Sequence, residues 1–187
     1  MAIATAAFIL FNPVYSSTMG YIFNNGSSMP WLAETLNVSS DSKIYTFKSR
    51  PNDRWHDGVP LTSDDAIFTF ELAKNVGNRN ANPIYALVGK YIDRVDKIDN
   101  LTFRVILSQS YVPFLIYVLI LTYIFPKHIL GNILDPIQYS NDNMIGLGPY
   151  RIVSKTPGVK YVLQANNDYY MWKPAIDIVV IHLIKDP

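Results

Sequence analysis

Alternating apolar and polar residues predict several β-strands along this chain. The clearest alternation runs from Leu101 to Leu107, where Leu, Phe, Val and Leu occupy every second position. Similar patterns predict further strands over residues 7–12, 43–49, 94–98, 150–154 and 160–165. The run over residues 176–184 is apolar on both faces, which is the pattern of a strand buried in the centre of a sheet.

A helix is predicted from Thr62 to about Val76. Thr62 and Asp65 have the spacing of a capping box, in which the Thr hydroxyl bonds the Asp amide and the carboxylate reaches back. Asp64 and Asp65 could be mistaken for a catalytic carboxylate pair, but adjacent residues in a first helical turn diverge, which favours capping. The apolar face of this helix comprises Ala66, Phe70 and Ala73.

Turn residues and prolines complete the predicted order of elements. Asp57-Gly58 and Pro157-Gly158 supply the backbone freedom that tight turns require. Pro113 and Pro126 suit the first positions of two further helices. Strands that alternate with helices in this order predict an α/β or α+β fold. We expect a mixed, partly antiparallel sheet with helices packed against it, in two small subdomains.

The composition excludes several classes of protein. The 187 residues are 49% hydrophobic and 17% charged, which is too apolar for a disordered chain. A formal net charge of +1 gives no broad basic field for nucleic acid, and the absence of cysteine excludes disulfides and thiolate nucleophiles. The longest apolar run, residues 111–125, contains Pro113 and is shorter than the roughly 20 residues of a membrane-spanning helix. Residues 1–10 carry no positive charge before their apolar run, so no signal peptide is evident.

Little in the chain indicates catalysis. His56, His128 and His182 are dispersed without metal-ligand spacing, so we predict no metal and no cofactor. The glycines of Gly146-Leu147-Gly148 lack the third glycine and the following helix of a dinucleotide fingerprint. They are better suited to a close backbone crossing. A small hydrolase that uses His56 or His182 stays an alternative, although no nucleophile elbow supports it. We expect a protein that is not an enzyme.

The order of short motifs carries more information than any one of them. Pro30-Trp31-Leu32-Ala33 is followed by the strand Ile44 to Arg50, then by Trp55-His56-Asp57-Gly58 and Leu61-Thr62. In this order the motifs resemble those of the family 5 extracellular solute-binding proteins, which serve oligopeptide, dipeptide, nickel and some oligosaccharide importers. The resemblance continues with Pro113-Phe114-Leu115, Pro126-Lys127-His128, Ile145 to Tyr150 and Asn166 to Tyr170. Leu147 stands where the family usually has threonine.

The resemblance implies a partial lobe of the periplasmic-binding-protein type. Full-length members are much longer, so we expect residues 1–187 to be a single fragment of the first lobe. Within it, approximately residues 7–145 would form the packing subdomain. Residues 146–187 would form a crossover and strands that return to the core of the lobe.

The resemblance also implies a function, which is the binding of peptides or similar solutes outside the membrane for import by an ABC transporter. The expected partners are a peptide or other small solute and the ABC permease subunits, with no nucleic acid, for a monomer that is periplasmic or at the cell surface. Candidate ligand contacts are Ile84, Tyr85 and Gly148. Since such receptors close two lobes around the solute, one lobe alone should bind weakly.

Three alternatives stay open beside the peptide receptor. An oligosaccharide or metal-chelate receptor of the same family is the first, although the tryptophans Trp31, Trp55 and Trp172 all fall in framework motifs. The second is the small hydrolase, and the third is a stand-alone interaction domain.

Overall fold

The computed structural model describes residues 14–16, 19–22, 27–76, 87, 89–115, 122–133 and 144–184. Its strands are β1 (Met19–Ile22), β2 (Ser27–Pro30), β3 (Ala33–Val38), β4 (Ile44–Ser49), β5 (Ile92–Lys97), β6 (Thr102–Leu107), β7 (Tyr150–Thr156), β8 (Lys160–Ala165) and β9 (Ile178–His182). Its helices are α1 (Ser63–Val76) and the single turn α2 (Lys127–Leu130). The strand predicted over 7–12 lies outside the described residues, as does most of the helix predicted from Pro113.

The chain divides into two compact units. One, here called the helix–sheet unit, comprises Ser17–Asn52 and Leu61–Tyr139. The other, here called the crossover unit, comprises Met1–Ser16, Asp53–Pro60 and Ser140–Pro187. The predicted boundary at residue 145 is near the break between Tyr139 and Ser140, but two early segments, Met1–Ser16 and Asp53–Pro60, group with the C-terminal residues. The assignment of these parts to a lobe and its packing subdomain stays a prediction.

A four-stranded antiparallel sheet forms the centre of the helix–sheet unit, in the order β3-β4-β6-β5. One face of β4 and β6 is buried, as the alternation predicts. Phe47 pairs with Phe103 across the two strands, and their rings stack with centroids 4.9 Å apart. The hairpin between β5 and β6 is closed by Asp99, whose Oδ1 accepts bonds from the Leu101 and Thr102 amides at 2.8 Å each. These strands confirm the alternation over residues 94–98 and 101–107, and Asp99 closes the turn between them.

Helix α1 begins at the predicted capping box, with one difference in detail. The Thr62 amide donates to Asp65 Oδ2 at 3.0 Å, as expected. The Thr62 hydroxyl also lies 3.3 Å from Asp65 Oδ2, while the Asp65 amide bonds the Thr62 carbonyl at 3.1 Å. Asp65 Oδ1 also accepts from the Lys127 amide at 2.9 Å, which ties the start of α1 to the start of α2. Asp64 points elsewhere and pairs with Lys97 at 2.7 Å.

The apolar face of α1 is buried, as predicted. Phe70 is fully buried, and its ring centroid lies 5.8 Å from that of Phe103 and 6.4 Å from that of Phe47. Ala66 and Ala73 are buried on the same side of the helix. The helix therefore covers the apolar face of the sheet, and three phenylalanine rings fill the space between them.

The crossover unit contains a three-stranded antiparallel sheet in the order β7-β8-β9. Strands β7 and β8 form the predicted hairpin, and Gly158 in its turn has φ +71°. The prediction of a buried central strand over residues 176–184 is wrong. Among the described strands β9 lies at the end of the sheet, and Ile178 and Val180 are about half exposed, at 52% and 46%. An apolar run reports a preference for strand, but whether a second face is covered depends on what packs there.

The architecture confirms the predicted α+β class. The described strands pair antiparallel, with helix α1 packed on the larger sheet. Within the described ranges, no helix has both the length and the apolar character needed to cross a membrane.

Candidate functional site

The turn that carries His56 is held by its own backbone. The Trp55 amide donates to the Val59 carbonyl at 2.9 Å, and the Gly58 amide returns to the Trp55 carbonyl at 2.8 Å. Gly58 has φ +87°, a conformation that a residue with a Cβ rarely adopts. The indole of Trp55 is buried, which anchors one side of the turn. His56 therefore projects from a narrow and well-supported loop, as Asp57-Gly58 predicted.

His56 makes three hydrogen bonds to a segment about 90 residues away in sequence, the glycine segment (residues 146–148). Its backbone amide donates to the Gly146 carbonyl at 3.0 Å. Its Nδ1 accepts from the Gly146 amide at 3.2 Å, and its Nε2 lies 3.0 Å from the Gly148 carbonyl oxygen. Because a backbone amide can only donate and a carbonyl can only accept, this arrangement requires a neutral ring with its hydrogen on Nε2.

The environment of His56 favours that neutral form. Burial of the imidazole lowers its pKa below the ordinary value, because the charged ring would lose its hydration. The bond to the Gly148 carbonyl and the carboxylate of Asp57 act in the opposite direction, while the guanidinium of Arg151 lowers the pKa further. The net direction is downward, so His56 is neutral near pH 7.

The glycine segment also crosses the backbone of Val14 at close range. The Gly148 amide donates to the Val14 carbonyl at 2.7 Å. A Cβ on Gly146 would overlap that same carbonyl oxygen, so the crossing requires glycine at this position. Ser16 Oγ donates to the Leu147 carbonyl at 3.2 Å, and the Leu147 side chain is buried. The prediction of a close backbone crossing is confirmed, and it excludes the phosphate-loop alternative for these glycines.

Asn166 completes the set of groups around the glycine segment. Its side-chain amide donates to the Gly148 carbonyl at 3.3 Å, and its backbone amide donates to the Pro149 carbonyl at 2.7 Å. The Gly148 carbonyl therefore accepts from both His56 and Asn166, while its amide is bonded to Val14. Gly148 is itself buried, and both its amide and its carbonyl are engaged in hydrogen bonds within the chain.

An aromatic cluster follows Asn166 in the crossover unit. The rings of Tyr169 and Tyr170 lie 4.5 Å apart, and Trp172 meets Tyr169 edge-on at 5.9 Å. Burial strongly raises the pKa of the Tyr170 phenol, and the neighbouring Tyr169 raises it further. The Trp172 side chain is 53% exposed, unlike Trp55, which lies in the core. The three rings therefore form one contiguous cluster, and Trp172 is its most exposed member.

The predicted site residues are only partly placed by the structure. Gly148 lies in the glycine segment, where it is buried. Ile84 and Tyr85 lie outside the described residues. The roles of Asn166 and Ser16 as supports of this segment were not predicted, because both act across long sequence separations that no local pattern reveals.

The geometry around His56 does not support a hydrolytic role for this residue. Both ring nitrogens of His56 bond backbone groups of the glycine segment, so neither is directed at a side-chain nucleophile. His182 lies exposed on β9. In the part of the chain that the structure describes, no cluster of three or more His, Cys, Asp or Glu side chains could hold a metal ion.

Comparison with known proteins shows what this arrangement is similar to. Residues 28–187 match the family model of the bacterial extracellular solute-binding proteins, family 5, in its middle region. A putative ABC transporter peptide-binding protein of Brucella ovis is 33% identical over 162 residues, which cover 83% of this chain and 29% of that protein. The chain thus spans about a third of the length of the relatives that it matches. These matches confirm the resemblance seen in the motifs.

Two solved structures share the fold at similar identity. The crystal structure of NikZ from Campylobacter jejuni, in complex with Ni(L-His), has a TM-score of 0.81 and 29% identity, covering 92% of this chain and 34% of that one. The mannohexaose-bound periplasmic oligopeptide-binding protein of Thermotoga maritima has a TM-score of 0.80 and 30% identity, covering 92% of this chain and 32% of that one. These relatives are solute-binding receptors rather than enzymes.

Proposed function

The chain belongs to the bacterial extracellular solute-binding proteins of family 5, and from this premise we propose that it acts in the substrate-binding component of an ABC importer. Its solute would be a peptide or a similar molecule, taken up outside the membrane. The observation that carries the proposal is the family match over 160 of 187 residues, 28–187, together with a peptide-binding relative at 33% identity.

Two other solute classes within the same family, a metal chelate and an oligosaccharide, are supported by the solved structures. One relative at 29% identity holds Ni(L-His), and another at 30% identity holds mannohexaose. The half-exposed Trp172 provides an aromatic surface on which a sugar ring could stack. The peptide class takes precedence because the Brucella ovis relative, which is the more similar in sequence, is described as peptide-binding.

The glycine segment is proposed to line the solute site. Gly148, Ile84 and Tyr85 are the residues proposed to contact the solute. The rigid support of the segment favours this role, because a preorganised wall loses little conformational freedom when a ligand arrives. Its engaged backbone groups suit contact with the apolar part of a solute rather than recognition of a charged terminus.

The proposed partners and location follow from the same family membership. The solute would be handed to ABC permease subunits, and the protein would work as a monomer in the periplasm or at the cell surface. The proposed assignment of residues 1–187 to the first lobe implies that this chain alone binds weakly.

Solute titration monitored by nuclear magnetic resonance tests the function at the level of this chain. The ¹⁵N-labelled protein would be titrated separately with mixed tri- to pentapeptides, mannohexaose and nickel–histidine, each to millimolar concentration. We expect saturable chemical-shift changes of the Gly148 amide signal with the peptides and not with the other two solutes. Calorimetry should show no binding at micromolar dissociation constants. Shifts with mannohexaose or nickel–histidine alone would transfer the proposal to that solute class, and no shifts with any of the three would overturn it.

A further inference from the structure

We propose that His56 is a positioning residue whose neutral imidazole holds the glycine segment in place, and that protonation of the ring releases this segment. The consequence for solute binding rests on the function proposed above. The release itself does not, because it concerns contacts within the crossover unit alone.

The hydrogen-bond pattern around the ring carries the first step. Nδ1 accepts from the Gly146 amide at 3.2 Å, and Nε2 donates to the Gly148 carbonyl at 3.0 Å. A protonated imidazole carries hydrogens on both nitrogens. The new Nδ1 hydrogen would then face the Gly146 N–H, and two donors directed at each other repel. Of the two ring bonds, only the one to Gly148 survives protonation, so the bond that Nδ1 accepts from Gly146 is lost.

The glycine segment has no simple way to adjust to that repulsion. The Gly146 carbonyl is held by the His56 amide at 3.0 Å, and the Gly148 amide is held by Val14 at 2.7 Å. The Gly146 Cα lies against the Val14 carbonyl so closely that a methyl group would not fit. The amide of Gly146 therefore cannot rotate away while these neighbours keep their bonds, and the segment has to shift as a unit.

The charged groups that act on the ring come from two elements. Arg151, on β7, opposes protonation, whereas Asp57, on the same turn as His56, favours it. Burial acts in the same direction as Arg151 and is the largest influence. The pKa of His56 in the folded chain is therefore below its ordinary value of 6.5.

The sign of the pH dependence follows from that direction. As the pH falls below 6.5, the unfolded chain takes up a proton at His56 before the folded chain does. The contribution of His56 to the free energy of unfolding is therefore complete above pH 6.5. It is lost as the pH falls from 6.5 toward the lowered pKa of His56 in the folded chain. Since one proton is involved, the ratio of folded to unfolded chain changes by at most about tenfold per pH unit in this window.

Direct observation of the imidazole tests the proposal without any ligand. Long-range ¹H–¹⁵N spectra of the full chain would be recorded between pH 7.5 and 4.5. We expect a non-protonated Nδ1 and a protonated Nε2 at neutral pH, with the Gly146 and Gly148 amide signals moving at the same midpoint as the ring. A hydrogen on Nδ1 at neutral pH, or glycine signals that ignore the titration of the ring, would overturn the proposal.

Matched variants separate positioning from general stability. His56→Asn places an amide oxygen near the position of Nδ1, so it can accept from Gly146 at every pH but cannot titrate. We expect this variant to lose the pH-dependent movement of the Gly146 amide, whereas His182→Asn, at an exposed position of the same unit, keeps it. Retention of the movement by His56→Asn would contradict the proposal. If His56→Asn does not fold, the spectra of the unmodified chain still decide.

Peptide titration at two pH values tests the consequence for binding. If Gly148 contacts the solute, the dissociation constant should rise between pH 7.5 and 5.0, by up to about tenfold per pH unit below the folded pKa. A constant affinity in a chain whose glycine segment moves with His56 would refute the link to solute binding. Binding of no solute at any pH would refute the proposed function and leave the positioning role to be judged by the spectra.

Discussion

The two units of this chain differ in the contacts that stabilise each of them internally. The helix–sheet unit has a core of side chains between α1 and the sheet. In this core the ring centroids of Phe47, Phe70 and Phe103 lie within 6.4 Å of one another. The crossover unit also buries apolar side chains such as Trp55 and Leu163. It adds to them a set of backbone hydrogen bonds, in which the glycine segment bonds to Val14, His56 and Asn166. A packed apolar core tolerates the exchange of one apolar side chain for another of similar volume. A close backbone crossing does not tolerate even one added methyl group at the point of contact.

The difference lies in how far apart the partners are in sequence. The capping box of α1 spans three residues, and the turn between β5 and β6 spans a similar distance. The contacts of His56 with the glycine segment span 90 and 92 residues. Local rules therefore set the helix start and the hairpin turn of the helix–sheet unit, whereas the contacts of His56 form only when distant segments meet.

The largest expected effect comes from the phenylalanine core. Phe70→Ala should lower the free energy of unfolding by about 3–5 kcal/mol, because it removes a fully buried ring and leaves a cavity. Urea unfolding followed by circular dichroism would measure the loss. Phe68→Ala, on the same helix but only partly buried, is the control and should cost clearly less. Equal losses for both variants would contradict a core centred on Phe70.

The next effect tests the backbone crossing. Gly146→Ala should cost about 3 kcal/mol, because the added methyl group overlaps the Val14 carbonyl oxygen and backbone atoms must shift. Gly158→Ala is the matched control in the same unit. Nothing lies near a Cβ at that position, so only the positive φ opposes the substitution, at about 1–2 kcal/mol. If thermal unfolding shows Gly158→Ala to be the more damaging variant, the crossing does not limit the stability of this unit.

Two adjacent aspartates provide a smaller and sharper comparison. Asp65→Asn should cost about 2 kcal/mol, because the buried carboxylate accepts from the amides of Thr62 and Lys127 and an amide side chain cannot replace both.

Asp64→Asn should cost less than about 1 kcal/mol, because its pairing with Lys97 is exposed to solvent. Denaturant midpoints at low and high salt distinguish the two, since only the Asp64 variant should lose its difference from the unmodified chain at high salt. A larger cost at Asp64 would contradict the capping role of Asp65.

Much of the helix–sheet unit could be predicted from the sequence. The alternation over 101–107 and 43–49 predicts β6 and β4, and the spacing of Thr62 and Asp65 predicts the start of α1. These signals succeed because each depends on neighbours within a few residues. The prediction of a buried central strand over residues 176–184 is wrong because it also used only neighbouring residues. An apolar run cannot reveal whether the second face of the strand is covered.

The candidate site could be predicted only in outline. The glycines of residues 146–148 and the turn at Asp57-Gly58 are visible as local features, and the order of motifs identifies the family. That His56 bonds both ends of the glycine segment, with Asn166 sharing the Gly148 carbonyl, is not visible in any window of the sequence. No spacing rule joins residues that lie 18 to 92 positions apart.

By itself, the sequence determined the family of this protein, its α+β class and most of its local elements, because these follow from patterns that extend over short windows. Only the tertiary structure decided that His56 is a neutral ring bonded on both sides to a backbone crossing, that Asp65 joins two helices while Asp64 does not, and that β9 lies half exposed. The physical reason is that hydrogen-bond partners, burial and pKa depend on which distant segments meet.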